Sequence, residues 1–79
     1  MAFDYSDLIK LIRYKYGTQE NFAKSLSIGR VSLSQRLNNR LDFSQEEILK
    51  ASKLLEIPEN EIPRYFFKEK VQKHEQKEA

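Results

Sequence analysis

The sequence predicts a small all-α domain of four or five short helices, followed by an aromatic segment and a polar tail. Apolar residues recur at helical spacing in successive stretches of the 79 residues. Capping residues stand just before several of these stretches. Gly, Asn and Pro interrupt the chain between them, as in brief interhelical loops. We therefore expect one compact helical bundle without a sheet of consequence.

The first helix is predicted for residues 4–16, because the apolar residues of this stretch share one helix face. That face carries Tyr5, Leu8, Ile9, Ile12 and Tyr16. Ser6 and the early aspartates suit a helix start, and Gly17 suits the helix end.

The next two helices are predicted on either side of a break at residues 27–29. Thr18 is expected to cap the second helix. The third helix is predicted for residues 30–38, where Asn39 can adopt the left-handed conformation that ends a helix. The inward-facing residues of the two helices are Phe22, Ala23, Leu26, Leu33 and Leu37.

The fourth helix is predicted to start at a capping box, in which Ser44 and Glu47 satisfy each other's backbone groups. It is expected to run to about Leu55. Phe43 is placed to pack as a hydrophobic staple before the cap. Residues 59–62, between two prolines, have room for one further helical turn.

The C-terminal region divides into an aromatic and a charged part. Residues 64–67 are too apolar to remain in water, so we expect them to pack on the core, pair across a dimer, or form a short strand. Residues 68–79 are highly charged and are predicted to be a frayed helix or a disordered tail. We accordingly place the folded domain at residues 1–67.

Composition excludes several classes of protein. The chain has no Cys, so neither disulfides nor a Cys-based structural zinc site can stabilise it. No apolar run approaches the roughly 20 residues that a membrane span needs. The N-terminus lacks the basic and apolar regions of a signal peptide. We therefore expect a cytoplasmic protein that is not associated with a membrane.

Charge is distributed unevenly along the chain. Residues 10–40 hold seven basic residues and one acid, whereas residues 42–61 hold six acids and two lysines. The basic part coincides with the second and third predicted helices, as a phosphate-facing surface requires. Lysines and arginines that merely solvate a helix surface would give a similar pattern, so charge alone favours DNA only slightly.

Two short helices joined by three or four residues are what a helix-turn-helix needs to place one helix in the DNA major groove. On the third predicted helix, the side opposite the buried leucines is polar. Its residues can read base edges, because Gln pairs with adenine, Arg with guanine, and Val with a thymine methyl. The predicted base contacts are Arg30, Val31, Ser32, Ser34 and Gln35.

Flanking polar residues are predicted to hold the DNA backbone. These are Thr18, Gln19, Arg36, Asn38, Asn39 and Arg40. The start of the second helix also offers free amides and a favourable dipole to a phosphate. In the alternative interpretation, Asn38 and Asn39 only form a turn and Gln19 is a solvated first-turn residue.

No catalytic or metal-binding pattern is present. The sequence lacks a Ser/His/Asp constellation, a phosphate-cradling Gly loop and metal-ligand spacing. His74 stands alone in the polar tail, and Glu46 and Glu47 point to different helix faces. We expect no enzyme activity, cofactor, metal or small-molecule ligand.

The segment resembles the Cro/lambda-repressor-like helix-turn-helix family, most closely its small phage Cro-like proteins. The matching residues are Thr18, Gln19, Glu20, Phe22, Ala23, Lys24, Leu26, Ser32, Leu33, Ser34, Arg36, Leu37, Asn38, Asn39, Phe43, Ser44, Glu47, Ile48, Ile62, Phe66 and Phe67. The resemblance covers about residues 8–67. It implies a lambda-repressor-like fold, phosphate contacts by Gln19 and by residues 38–40, and base contacts by Arg30, Val31 and Gln35.

Two positions depart from the family pattern. The family usually has Gly where this chain has Ser27, and Gly29 follows two residues later. The family also spaces the buried pair of the third helix by three residues, whereas Leu33 and Leu37 are four apart. Arg36 therefore occupies a position that is often buried.

The resemblance implies the function of a Cro-like phage or prophage repressor, which binds a short palindromic DNA operator in the nucleoid of a bacterial host cell. A homodimer would span two half-sites about 34 Å apart. The predicted dimer interface is Tyr65, Phe66 and Phe67. The alternative is a protein-interaction module, an antitoxin or anti-repressor, that uses the same fold and the C-terminal tail. A third possibility is binding of RNA or single-stranded nucleic acid. The sequence does not favour it, because it has no row of aromatic residues among the basic ones on which bases could stack.

Overall fold

The computed structural model describes residues 2–70 as five α-helices around one apolar core, which confirms the predicted all-α class. The elements are α1 (Ser6–Tyr16), α2 (Gln19–Leu26), α3 (Arg30–Leu37), α4 (Gln45–Leu55), a 3-10 turn (Glu59–Glu61) and α5 (Ile62–Phe66). No helix within this part of the chain has the length and apolar character to cross a membrane.

The helix starts follow from local capping. The hydroxyl of Thr18 accepts a hydrogen bond from the backbone N–H of Asn21 at 3.1 Å, as predicted for the start of α2. At α4 the predicted capping box is present. Ser44 Oγ accepts from the N–H of Glu47 at 3.1 Å, and a Glu47 carboxylate oxygen accepts from the N–H of Ser44 at 3.0 Å.

Helix α1 begins at Ser6, two residues later than predicted, and the Asp4 side chain bonds this first helical residue. The Asp4 carboxylate accepts hydrogen bonds from the backbone N–H and the hydroxyl of Ser6, at 2.9 and 2.7 Å. These bonds hold the pKa of Asp4 below its ordinary value. Gly17 ends α1 with φ +81°, a conformation that glycine adopts without a steric penalty.

The turn between α2 and α3 is held by Ser27, which takes the left-handed conformation at φ 66°. Gly29 has φ −75° and simply precedes α3. The N–H of Ile28 donates to the carbonyl of Ala23 at 3.0 Å, and Lys50 Nζ donates to Ser27 Oγ at 3.1 Å. Serine therefore occupies the position that the resembled family usually gives to glycine.

The core lies between α1, α2, α4 and α5 and includes the inner side of α3. Its largest fully buried side chains are Leu8, Ile12, Phe22, Leu33, Leu55 and Phe66. Ala23 is buried where α2 contacts its neighbours, so the small residue permits close packing. The core thus fixes α2 and α3, the two helices of the predicted DNA-binding motif.

The two ends of the described chain lie side by side. The N–H of Asp4 donates to the carbonyl of Lys68 at 2.6 Å, and that of Lys70 donates to the carbonyl of Ala2 at 3.2 Å. Phe3 and Glu69 form the antiparallel bridge between them. The first three residues of the predicted tail are therefore paired with the N-terminal segment, and residues 71–79 lie outside the described part.

Candidate nucleic-acid interface

A concave groove of about 1260 Å³ opens where α3 and its C-terminal loop face the start of α2 and the end of α1. We call this surface the groove. It is lined by Arg13, Gly17, Thr18, Gln19, Glu20, Arg30, Val31, Ser34, Gln35, Asn38 and Arg40. Eight of the eleven residues predicted to contact DNA are in this set.

Helical geometry explains which side of α3 lines the groove. Successive residues turn by about 100°, so Leu33 and Leu37 share one side and are both buried. Val31 and Gln35 fall on the other side, and Val31 is 65% exposed. The polar side of α3 is therefore turned outward, as the predicted recognition helix requires.

The start of α2 supplies the opposite wall of the groove. Thr18 uses its oxygen as the helix cap, and its hydroxyl proton is available as a donor. Gln19 is the first helical residue and is half-buried. The first amides of α2 have no partner within the helix and carry the positive end of its dipole. An anionic group in the groove would meet these donors.

Three arginines give the groove its charge. Arg13 comes from the last turn of α1, Arg30 from the start of α3 and Arg40 from the loop after it. Within residues 2–70 none of the three guanidinium groups is hydrogen-bonded or ion-paired, and all three are exposed. The lining contains one carboxylate, that of Glu20. The local excess of positive charge suits a polyanion.

The prediction did not include Arg13. Its position in the basic stretch of residues 10–40 was visible in the sequence, but the closeness of the end of α1 to α3 was not. Only the packing of α1 against α2 brings this guanidinium to the groove.

Arg36 does not line the groove, contrary to the prediction that it contacts the DNA backbone. Its guanidinium makes a bidentate pair with Glu47 of α4: Nε donates to Oε1 at 2.9 Å and Nη2 to Oε2 at 3.2 Å. Nη1 donates to the carbonyl of Ser32 at 2.8 Å. The Arg36 side chain is only 17% exposed, because it lies on the α4 side of α3.

The same arrangement affects Glu47 and Ser32. Burial raises the pKa of Glu47, but hydrogen bonds from Arg36 and Ser44 outweigh this and leave the pKa below its ordinary value. Ser32 is half-buried on the α4 side of α3 and is absent from the groove lining, although it was predicted as a base contact. Both corrections have one cause, since Ser32 and Arg36 are one helical turn apart.

Asn39 is also turned away from the groove. Its side chain is paired with the backbone of Phe3: Oδ1 accepts from the N–H at 2.9 Å and Nδ2 donates to the carbonyl at 2.9 Å. Its φ of 64° confirms the predicted left-handed helix end. Its predicted contact with the DNA backbone has no support, because these bonds occupy its side chain.

Asn38 faces the groove. Its side-chain amide donates to the carbonyl of Ser34 at 2.9 Å and lies near the Ser34 hydroxyl at 3.2 Å. Both residues line the groove. Within the described residues the Asn38 side-chain oxygen accepts no hydrogen bond, so it remains open to a ligand.

The predicted dimer interface divides into a buried and an exposed part. Phe66 is only 1% exposed, and its ring meets that of Phe43 edge to face at a centroid distance of 5.3 Å. Phe66 is therefore a core residue and has almost no surface with which to contact a second copy of the chain. Phe67 is 49% exposed and packs against Phe3 at 5.8 Å, and Tyr65 is half-buried beside the Arg64 guanidinium.

Comparison with known proteins assigns the chain to a family. A model of the family described as "Protein of unknown function (DUF739)" matches residues 1–69. The solution structure of the modulator of repression (MOR) of the temperate bacteriophage TP901-1 from Lactococcus lactis is 42% identical, with a TM-score of 0.76. The match covers 91% of this chain and 97% of that chain. No curated protein matches. The chain therefore belongs to the DUF739 family.

Proposed function

We propose that this protein is a small phage or prophage regulator that binds duplex DNA with α3 in the major groove. The observation that carries the proposal is the groove itself, where three arginines that have no partner among residues 2–70 flank an outward-facing polar helix. Similarity to a protein called a modulator of repression favours a role in phage gene regulation.

Each element of the groove has a part in this proposal. Val31, Ser34 and Gln35 would face base edges, with Arg30 at the N-terminal end of the same helix. The DNA backbone would be held by Arg13, Arg40, Asn38 and the start of α2. A single α3 reads few base pairs, so we propose that two copies bind two half-sites of one operator. Phe67 and Tyr65 are the proposed subunit contacts.

A selection experiment tests this proposal directly. The full chain is incubated with duplexes of random sequence, and bound molecules are sequenced. We expect a two-fold symmetric consensus with half-sites about 34 Å apart, and an affinity that falls steeply with salt as counterions are released. Recovery of random sequences with salt-independent binding would contradict the proposal.

Two substitutions separate base reading from backbone binding. Gln35→Ala should remove about 1–3 kcal/mol of discrimination at one base pair of each half-site. Arg40→Ala should weaken binding to all sequences alike and reduce the salt slope by about 1 per subunit. Titrations against the selected and a scrambled duplex at several salt concentrations measure both effects. Equal losses on both duplexes from both variants would remove this division of roles.

The second candidate is a protein-interaction module, which the name of the similar phage protein favours. In this proposal the protein binds another regulator, and DNA binding is dispensable. A chain ending at Lys70 distinguishes the two, since it keeps the pairing of residues 2–4 with 68–70. Retained DNA binding with loss of the regulatory effect would assign the function to residues 71–79.

A further inference from the structure

Helix α3 packs mainly against α2, and within the described residues it makes no comparably extensive contact with α4. The helix has eight residues, and its buried side chains are Leu33 and Leu37. Gly29 precedes it and provides no side-chain cap. The direction in which α3 presents Val31 and Gln35 therefore depends on what else ties the helix to the rest of the domain.

The bidentate pair of Arg36 and Glu47 is such a tie. One carboxylate oxygen of Glu47 receives both Arg36 Nε at 2.9 Å and the Ser44 N–H at 3.0 Å. The other oxygen receives Arg36 Nη2 at 3.2 Å. A planar guanidinium group that is bonded through two nitrogens has a fixed orientation as well as a fixed distance to its partner. Because the guanidinium also bonds the carbonyl of Ser32, the pair is fixed to the backbone of α3.

We infer that Glu47 is a positioning residue, which sets the orientation of α3 through Arg36 and so determines how well the groove discriminates between DNA sequences. This inference rests on the proposed function. Glu47 lies on α4, outside the groove, so its contribution to recognition is indirect.

A pair of substitutions on α4 isolates this role from simple stability. Glu47→Gln keeps the length of the side chain and an oxygen for the Ser44 N–H, because glutamine also completes a capping box. It removes the charge and the two-point acceptor for Arg36. Ser44→Ala is the matched control, since it removes the hydroxyl that caps the Glu47 N–H and leaves the Arg36 pair in place.

The readout is the ratio of affinities for the selected and the scrambled duplex, measured by titration at fixed salt. Glu47→Gln should reduce this ratio about tenfold, as expected for loss of one coupled pair. Its affinity for the scrambled duplex and its salt slope should match the wild type, because the groove arginines are unchanged. Ser44→Ala should lower the unfolding midpoint without changing the ratio.

Arg36→Lys provides an independent test if Glu47→Gln folds poorly. Lysine retains the charge but not the planar fork, so this variant should lose discrimination as well. The double variant should lose no more than the larger single loss. Wild-type discrimination in both Glu47→Gln and Arg36→Lys, or an equal loss in Ser44→Ala, would overturn the inference and leave the proposed function standing.

Hydrogen exchange separates failure of this inference from failure of the proposed function. If the wild-type chain binds no duplex, the proposed function falls. The positioning role is then decided by the amides of α3, which should exchange faster in Glu47→Gln than in Ser44→Ala. Equal exchange of α3 amides in the two variants would overturn the inference.

Discussion

The groove and the aromatic cluster differ in whether their side chains have partners within the domain. In the groove, Arg13, Arg30 and Arg40 have no partners within the described residues. Elsewhere in the molecule an aromatic cluster forms a chain of edge-to-face and tilted contacts, with centroids 5.3–6.2 Å apart. The cluster consists of Phe3, Tyr5, Phe43, Phe66 and Phe67.

This difference shows where stability and recognition lie. Aromatic rings that contact one another and the core contribute buried area and favourable ring geometry. Polar groups without internal partners contribute little to folding, but they are available to a ligand. Substitutions in the aromatic cluster should therefore change stability, and those in the groove should change binding.

The largest effect is expected inside the aromatic cluster. Phe66→Ala should lower the free energy of unfolding by about 3–5 kcal/mol, because it leaves a cavity in the core. That is much of the stability of a domain this small. Phe67→Ala should cost about 1 kcal/mol or less, since its ring is half in solvent. Urea unfolding followed by circular dichroism measures both.

Self-association completes this test. If Phe67 is a subunit contact, Phe67→Ala should shift a dimer towards monomer in sedimentation equilibrium while remaining folded. Phe66→Leu keeps part of the ring volume and gives a folded comparison for the core position. Similar stability losses at Phe66 and Phe67 would contradict the division of the aromatic segment into a buried and an exposed residue.

Local signals made much of the fold predictable from the sequence. The cap of Thr18 on Asn21 and the capping box of Ser44 and Glu47 each act over three positions. Helical spacing identified Leu33 and Leu37 as the inner side of α3, and so placed Val31 and Gln35 outward. Interactions of this range can be recognised without knowing the tertiary structure.

The errors have the opposite origin. Asn39 bonds Phe3 across 36 positions, and Arg36 bonds Glu47 across 11. In the sequence Arg36 lies within the predicted recognition helix and Asn39 just after it. The spacing of the buried leucines put Arg36 at a position that is often buried, but nothing local identified Glu47 and Phe3 as the partners of these two residues. Arg13 was omitted for the same reason, since its place in the groove depends on how α1 packs. Long-range partners decide which polar residues remain available for binding.

A smaller effect on stability is expected at Asn39, which joins the loop beside the groove to Phe3 of the aromatic cluster. Asn39→Gly preserves the left-handed backbone but removes two hydrogen bonds to Phe3. We expect a loss of about 2 kcal/mol in the free energy of unfolding, at about 1 kcal/mol per bond.

Asn38→Gly provides the control for chain entropy at this junction. It has the same unfolded-state effect and removes only exposed bonds within α3. Thermal unfolding of both variants measures the difference. An equal loss in the two variants would indicate that the Asn39–Phe3 pairing does not stabilise the fold.

The smallest effect concerns pH and the link between α3 and α4. The pKa of Glu47 is lowered in the folded state, so its charge stabilises the fold above the ordinary Glu pKa of about 4.3. This contribution is lost as the pH falls through the lowered value. Glu47→Gln lacks this charge at every pH. The free energy of unfolding of the wild type should therefore exceed that of the variant by on the order of 1 kcal/mol at pH 7.

This difference in the free energy of unfolding should disappear in acid. Because both proteins keep the capping box, the difference measures the contribution of the Arg36–Glu47 ion pair alone. The pKa of Asp4 is lowered too, by hydrogen bonds from Ser6, but Asp4 is present in both proteins and cancels in the difference. Urea unfolding at pH 7 and at intervals down to about pH 3 gives the two curves. If the difference in unfolding free energy stayed constant over this pH range, the packing of the Glu47 side chain, and not its charge, would be what links α4 to α3.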